Sequence, residues 1–290
     1  MEALQGKTIT IVGLGLMGGS LALALRDSPV RLVGVEVDQA TRRAARNQGV
    51  VDAVTPSLAD GVAEADLVIL ATPVQTTLVL LRRLPQVRAE GYIVLDLGST
   101  KEEICAALSR LPAGIAAVGG HPMCGKETAG LAAAEEDLYR GATFVLCRTA
   151  RTTPAAEDLV LALVEAVGAI PFFLDPAGHD SLVALVSHLP YFVAAALMAE
   201  AADTAAGNDL VWPVSASGFR DTARLAGSNA PMMRDIVLTN RPAILARLRA
   251  YRGRLAQLIT LLEEGSAAEL EEWLVARQRE HELYRKEKQK

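Results

Sequence analysis

Apolar, largely β-branched runs recur through the first 175 or so positions: TITIVGL (8–14), LVGVEV (32–37), DLVILAT (66–72), YIVLDLG (92–98), IAAVGGH (115–121), TFVLCR (143–148) and IPFFLD (170–175). None alternates apolar with polar residues, so each is expected to be a strand covered on both faces by the helical stretches between runs. The rhythm predicts a doubly wound, mostly parallel sheet whose last two strands form an antiparallel edge. It stops after Pro176. From Asp180 onward the pattern is helical, punctuated by Gly207, Pro213, Gly218, Gly227, Pro231 and Pro242, and it ends in a charged tail expected to fray. Two domains follow from this pattern, 1–176 as α/β and 177–290 as all-α. The stretch from Leu182 to Met198 is interrupted by Ser187, His188 and Pro190 and falls short of the ~20 clean apolar residues of a membrane span, so it is expected to be a buried helix.

Composition narrows the picture. Hydrophobic residues make up 51% of the chain and aromatics 4%, so the core must be built from Ala, Val, Leu and Ile. With 29 Lys and Arg against 34 Asp and Glu, and no long single-sign block, nothing favours a nucleic acid or an anionic membrane as partner. Cys105, Cys124 and Cys147 lack metal-site or redox spacing, so no metal centre is expected, and a reducing cytoplasmic setting fits. The segment MEALQGKTITIVGLG has the pattern of neither a secretion signal nor a transit peptide.

The first run leads into Gly13, Gly15 and Gly18, spaced GxGxxG, and then into an Ala- and Leu-rich helical stretch that includes Leu16 and Met17. In that context the first glycine permits a tight turn, the second lets backbone approach a pyrophosphate and the third allows close packing, with the phosphates at the helix N-terminus. Glu36 ends the second strand 18 residues past Gly18, where an acid meets the adenosine ribose hydroxyls. A carboxylate there repels a 2′-phosphate, and neither Val37 nor Asp38 supplies a cation, so NAD is expected over NADP. Asp38 competes for the ribose; its alternative role is to cap the helix TRRAARNQ. Thr72 and Pro73 sit where a doubly wound sheet brings strand ends to the nicotinamide, although Pro73 equally suits the first turn of the next helix.

Only four histidines occur: His121, His179, His188 and His281. His281 lies in the charged tail and is given no role, and His179, in GHDSL, is assigned to capping or an interdomain hydrogen bond. His121 follows IAAVGG at a strand end and opens the loop HPMCGKETAG, so it projects toward the cofactor crevice and is the best candidate for a general base. Ser99, in DLGST at the neighbouring strand end, is placed to bond both that imidazole and a substrate hydroxyl. Its alternative role is to cap TKEEICAAL, with Glu102 completing a capping box.

Taken in order, GLGLMGGSLALAL, DLGSTK, GGHPMCGKETAG, SHLPYFVAAAL and GFRDTARLAGSNAPMMRDI resemble the prephenate and arogenate dehydrogenases of tyrosine biosynthesis, and the resemblance spans the whole chain. It implies an N-terminal Rossmann-type domain followed by an all-helical domain that forms a homodimer. The implied reaction is NAD-dependent oxidative decarboxylation of prephenate to 4-hydroxyphenylpyruvate and CO2. The family's catalytic histidine falls on His121 and its motif serine on Ser99. The arginine that holds the ring carboxylate falls on Arg224, with Gly218 and Asp221 preceding it, and a guanidinium grips a carboxylate with two parallel bonds. Ser187 and His188 match the S-H-L-P motif that lines the substrate pocket. Many prephenate-specific relatives carry a second histidine after that proline where this chain has Tyr191, and some have Trp where it has Met233.

Two other readings have distinct signatures. A β-hydroxyacid dehydrogenase generally uses a lysine on a helix of its second domain, and no lysine occurs between Asp180 and Arg241. An NAD(H)-binding sensor without turnover leaves His121, Ser99 and Arg224 without a purpose.

Overall fold

The computed structural model describes residues 2–126 and 128–288. Its eight strands are β1 Thr8–Val12, β2 Arg31–Val35, β3 Ala53–Thr55, β4 Leu67–Leu70, β5 Tyr92–Asp96, β6 Ile115–Pro122, β7 Thr143–Arg148 and β8 Ile170–Phe173. They form one sheet in the order β3-β2-β1-β4-β5-β6-β7-β8. Pairing is parallel from β3 to β6, β7 runs antiparallel to β6, and β8 is parallel to β7, so the expected antiparallel edge is present. The strand absent from the sequence reading is β3, whose three residues are too few to register as a periodic run.

Helices α1 Leu16–Leu25, α2 Gln39–Asn47, α3 Leu58–Val62, α4 Val74–Val87, α5 Glu102–Ser109 and α6 Pro154–Ala166 alternate with the strands. Their local starts follow the chemistry of caps. Asp38, Ser57 and Thr153 accept from the amides of Thr41, Asp60 and Ala156 at the N-termini of α2, α3 and α6. One core on this sheet includes Ile9, Ile11, Leu21, Leu95 and Phe144, and a second includes Val12, Val68, Val94, Ile104 and Ala117. Adjacent residues of β1 and of β5 thus bury their side chains in different clusters, as the absence of polar alternation requires.

The helical part comprises α7 Pro176–Val183, α8 Leu189–Ala205, α9 Val211–Val214, α10 Ser217–Ala223, α11 Ala230–Glu264 and α12 Ala267–Lys288. Between α7 and α8 the residues Ala184–His188 form a π-helical turn, with the Leu189 amide bonding the carbonyl of Ala184. Pro190 follows directly and has no amide hydrogen to restore the α-helical ladder. Within α11 the helix is interrupted at Asn240 (φ −133°, ψ 26°), two residues before Pro242.

The chain divides into two compact units, Met1–Arg241 and Pro242–Lys290. The second holds the remainder of α11 and α12, the latter opened by a reciprocal capping box. There the Ser266 amide donates to Glu269 Oε2 (2.8 Å) and the Glu269 amide to Ser266 Oγ (3.3 Å). The tail expected to fray is helical as far as Lys288.

The expectation of a buried helix at Leu182–Met198 is corrected. The continuous helical stretch Pro176–Ala205 contains an 18-residue segment with the mean hydropathy (1.9) of a membrane span, yet only 22% of that segment is buried in the single chain. Leu182, Leu185, Val186 and Met198 are exposed, because the apolar residues that the sequence offered as core form an outward face.

Candidate active site

The glycine turn is built as its spacing requires. Gly13 has φ +94°, and a Cβ there would come within 2.8 Å of Ala71 O and 2.9 Å of Thr72 Cγ2, so the turn packs flat on the end of β4. At Gly18 a Cβ would lie 1.9 Å from Gly13 O, whereas at Gly15 it would meet nothing within 4 Å. The open space at Gly15 faces the start of α1. Gly15 serves there as N-cap without a side-chain acceptor, and the first helical bond comes from Gly19 to Gly15 O, so the amides of Leu16, Met17 and Gly18 remain available to an anion. β1 pairs with both β2 and β4, which makes this the point where the strand order reverses and a crevice opens.

Glu36 follows β2 and is tied into the same turn. Its Oε2 accepts from Leu14 N (3.0 Å) and its Oε1 from Asp38 N (2.9 Å). Asp38 caps α2 through Thr41 N (2.7 Å), so it takes its alternative role. Arg42 Nη1 donates to the carbonyls of Glu36 (2.8 Å) and Val37 (2.7 Å). The cation that adjacent positions do not supply is therefore brought in from one turn along α2. Pro73 is the N-cap of α4, and Thr72 Oγ1 lies 2.9 Å from Thr77 Oγ1. A dinucleotide fits this set of groups: a glycine cradle, free first-turn amides and a carboxylate at the second strand end.

On the same edge of the sheet, His121 stands near the end of β6. Its Nδ1 lies 2.8 Å from His179 Nε2, the rings meeting edge to face with centroids 5.0 Å apart. His179 Nδ1 lies 2.7 Å from Asp180 Oδ1. A carboxylate can only accept, so His179 carries its hydrogen on Nδ1 and presents Nε2 as acceptor, and His121 donates from Nδ1. The remaining nitrogen of His121, Nε2, is then an acceptor with no partner among the described residues. Burial, with the positive charges of His179 when protonated, Lys101 and His188, holds His121 well below the usual histidine value, so it is neutral at pH 7.

Asp180 does more than orient His179. Its Oδ1 accepts from Lys101 N (2.7 Å) and its Oδ2 from Glu102 N (2.9 Å), capping α5 from 78 residues away. The capping role weighed for Ser99 is thereby overturned: α5 starts at Glu102, and the carboxylate of α7 takes its first amides. Nor does Ser99 bond the imidazole: His121 Nδ1 is bonded to His179, and its Nε2 has no partner among the described residues. Among the described residues Ser99 Oγ has no hydrogen-bond partner, and it is part-exposed at the β5 end. His179 is not a helix cap either; Asp175 caps α7 through Gly178 N (2.8 Å).

The segment that closes the first unit reaches the same place. Thr239 Oγ1 lies 2.8 Å from Thr100 Oγ1, and Asp235 Oδ2 accepts from Gln75 N (3.3 Å). Asn240 Nδ2 donates to Asp180 O (2.8 Å) and lies 3.4 Å from His188 Nδ1. His188 is thus buried in the network, and burial above all lowers it to about 4, against the raising influence of Asp180.

The other residues expected at the site occupy the neighbouring helical layer. Ser187 is exposed and Tyr191 part-buried, its ring edge-to-face with Phe192 at 5.1 Å. Gly218 and Asp221 are exposed on α10, where Asp221 pairs with Arg220 at 3.3 Å and a Cβ at Gly218 would meet nothing. Arg224 begins the short 3₁₀ turn Arg224–Gly227, exposed, and that turn packs against α8. Sequence reasoning missed Asp180, Asn240, Asp96 and Lys101 as parts of the site, although Asp96 and Lys101 flank Ser99 in the motif DLGSTK.

Comparison with known proteins identifies the family. Residues 21–171 match the family model described as prephenate dehydrogenase, nucleotide-binding domain, and residues 175–276 that described as prephenate dehydrogenase, dimerization domain. The chain is 36% identical to prephenate dehydrogenase of Bacillus subtilis (strain 168) over 267 residues, 91% of this chain and 72% of that protein. Prephenate dehydrogenase from A. aeolicus, solved in complex with hydroxyphenyl propionate and NAD+, superposes with a TM-score of 0.87 at 30% identity, covering 98% of this chain and 99% of that one. Synechocystis arogenate dehydrogenase gives 0.82 at 35% identity, covering 96% and 99%.

Proposed function

The chain belongs to the prephenate dehydrogenase family, and from that premise we propose that it catalyses the oxidative decarboxylation of prephenate to 4-hydroxyphenylpyruvate and CO2 with NAD+ as oxidant. The observation that carries the reading is the chain Asp180–His179–His121. It leaves one neutral imidazole nitrogen unbonded on the sheet edge that also bears the glycine turn. When bound, NAD+ supplies the acceptor for the hydride that leaves the carbinol carbon. His121 Nε2 takes the proton of the ring 4-hydroxyl as that hydride departs. The ring carboxylate then leaves as CO2, its bonding pair enters the ring, and the phenolate oxygen so formed recovers the proton from His121. No net proton is consumed, so the base returns neutral to each turnover. Ser99 orients the hydroxyl, and Arg224 binds the ring carboxylate. Ser187, Tyr191, Gly218 and Asp221 line the substrate pocket, with His188 supporting it from within. Gly13, Gly15, Leu16, Met17, Gly18, Glu36, Thr72 and Pro73 hold the cofactor.

We place the domain boundary at Pro176, beside residue 175, where the match to the dimerization-domain model begins. The working form is a cytoplasmic homodimer whose partner besides itself is the small substrate, with neither nucleic acid nor membrane engaged. Arogenate is the second reading, favoured by Tyr191 standing where many prephenate-specific relatives have histidine. Steady-state rates with prephenate and arogenate, each with NAD+ and NADP+, test both. Turnover of neither substrate overturns the proposal.

A further inference from the structure

Behind the strand end that carries His121 lies an ion pair with no access to water. Asp96, the last residue of β5, and Lys101, just ahead of α5, are both completely buried, and Lys101 Nζ bonds Asp96 Oδ2. Asp96 also accepts from Gly98 N through Oδ2 (2.8 Å) and from Gly120 N through Oδ1 (3.1 Å). The walls are close. A Cβ at Gly120 would lie 2.6 Å from Asp96 O, and one at Gly98 would lie 3.0 Å from Asp96 Oδ2 and 3.6 Å from Lys101 Nζ. The pair therefore touches both ends of the histidine chain, through Gly120, which precedes His121, and through the Lys101 amide, which bonds the Asp180 carboxylate.

Stability does not explain such a pair, because desolvating two charges offsets most of their attraction, and apolar residues of like volume commonly do as well. Its charges have a use at the base. We propose that the buried Lys101–Asp96 pair is a positioning device for His121: Asp96 fixes, through Gly120, the backbone that carries the imidazole, and Lys101 ties Asp96 to the Asp180 carboxylate that orients His179, so that the borrowed proton is handed back. This rests on His121 acting as the base.

The titratable groups that bear on His121 are His179 from α7, His188 from the π turn and Lys101 from the start of α5; Asp180 and Asp96 stand one bond further along the network. His188 is lowered to about 4 and is neutral at pH 7, so it adds no standing charge there. Lys101 is the cation of the buried ion pair, and repulsion between like charges lowers the proton affinity of the imidazole.

The test uses the full chain with 13C,15N-labelled histidine, the His121 signals assigned by their loss in His121→Asn. Lys101→Met alone leaves Asp96 buried and unpaired and is expected to destabilise the fold, so the decisive variant is Asp96→Asn/Lys101→Met, which removes both charges. In that folded variant the NMR titration midpoint of His121 is expected to rise by at least one pH unit, a tenfold gain in proton affinity. The acid limb of kcat/KM should rise with it, while the NADH dissociation constant stays within twofold. Lys101→Arg, which keeps the charge, should keep the midpoint near wild type. A midpoint within 0.3 pH of wild type in the folded double variant overturns the proposal. A raised midpoint in a protein that turns over neither prephenate nor arogenate would instead sustain the electrostatics and remove the functional reading.

Discussion

His121 Nδ1 and His179 Nε2 lie 2.8 Å apart, and the bond joins a strand end to a helix 58 residues further along the chain. Because Asp180 fixes the hydrogen on the far nitrogen of His179, the tautomer of His121 is set by two other side chains rather than by substrate. On the proposed mechanism, removing His121 should cost more than removing its orienting partner. His121→Asn is expected to lower kcat by about 10²- to 10⁴-fold, and His179→Gln by about 10-fold, because it loses the bond to Asp180 and leaves His121 able to present the wrong nitrogen. Both should bind NADH as wild type does. Steady-state kinetics with a fluorescence titration of NADH checks this, and a His179→Gln enzyme with unchanged kcat would rule out an orienting role.

His188 supplies a pH dependence of stability. Burial lowers it in the folded chain to about 4 from the ordinary histidine value of 6.5, so the unfolded chain binds the proton more readily than the folded one. Stability is then unaffected above pH 6.5, falls as pH drops through that value, and levels off below about 4. Between neutral pH and the lower end of that window the loss amounts to about 3 kcal/mol, since each tenfold difference in proton affinity between the two states is worth ~1.4 kcal/mol. Urea unfolding followed from neutral pH down through this window should show the wild type losing more than His188→Asn by about that amount. Parallel curves for the two proteins would mean that His188 titrates normally.

The proposed role of Glu36 predicts that cofactor choice depends on it and on a cation that adjacent positions do not reveal. Arg42 already reaches the carbonyls of Glu36 and Val37, within the turn where a 2′-phosphate would arrive. Glu36→Ser removes the repelling carboxylate and is expected to tighten NADPH binding by about 10- to 100-fold while weakening NADH, as one or two well-placed charged bonds do. Arg42→Ala in that background should abolish the gain. Dissociation constants from nicotinamide fluorescence decide it, and unchanged NADPH affinity in Glu36→Ser would place selection elsewhere.

What the sequence made legible, and what it hid, divides along the range of the interactions. Strands such as TFVLCR and the turn at Gly13 to Gly18 are encoded by neighbours, and the structure has them where the pattern puts them. The cap of α5 is not local. A serine and a glutamate at capping-box spacing are outcompeted by Asp180, whose carboxylate offers two acceptors to Lys101 N and Glu102 N at once. In the same way GHDSL gives no hint that its histidine meets GGHP, because only the topology brings α7 over the end of β6. The apolar stretch within Pro176–Ala205 misleads in the opposite sense. Its composition is that of a core, and a single chain leaves most of it uncovered.

That uncovered face supports the last prediction. Leu182, Leu185, Val186 and Met198 are 47%, 43%, 62% and 37% exposed on helices that fall in the match to the family's dimerization domain, and contiguous apolar surface of this kind is ordinarily covered by a partner. The same helical stretch carries His179 and Asp180, so an interface on this face would share one element with the chain that orients His121. Placing a charge at the most exposed position, Val186→Glu, is expected to yield monomers in sedimentation velocity and to lower kcat/KM by about 10-fold or more, since a buried unpaired charge costs several kcal/mol. NADH binding at the glycine turn should remain within twofold, because the residues proposed to hold it lie between Gly13 and Pro73, away from α7 and α8. A Val186→Glu protein that stays dimeric would show that this face is not the interface, and a monomer with full activity would show that the relay stands without it.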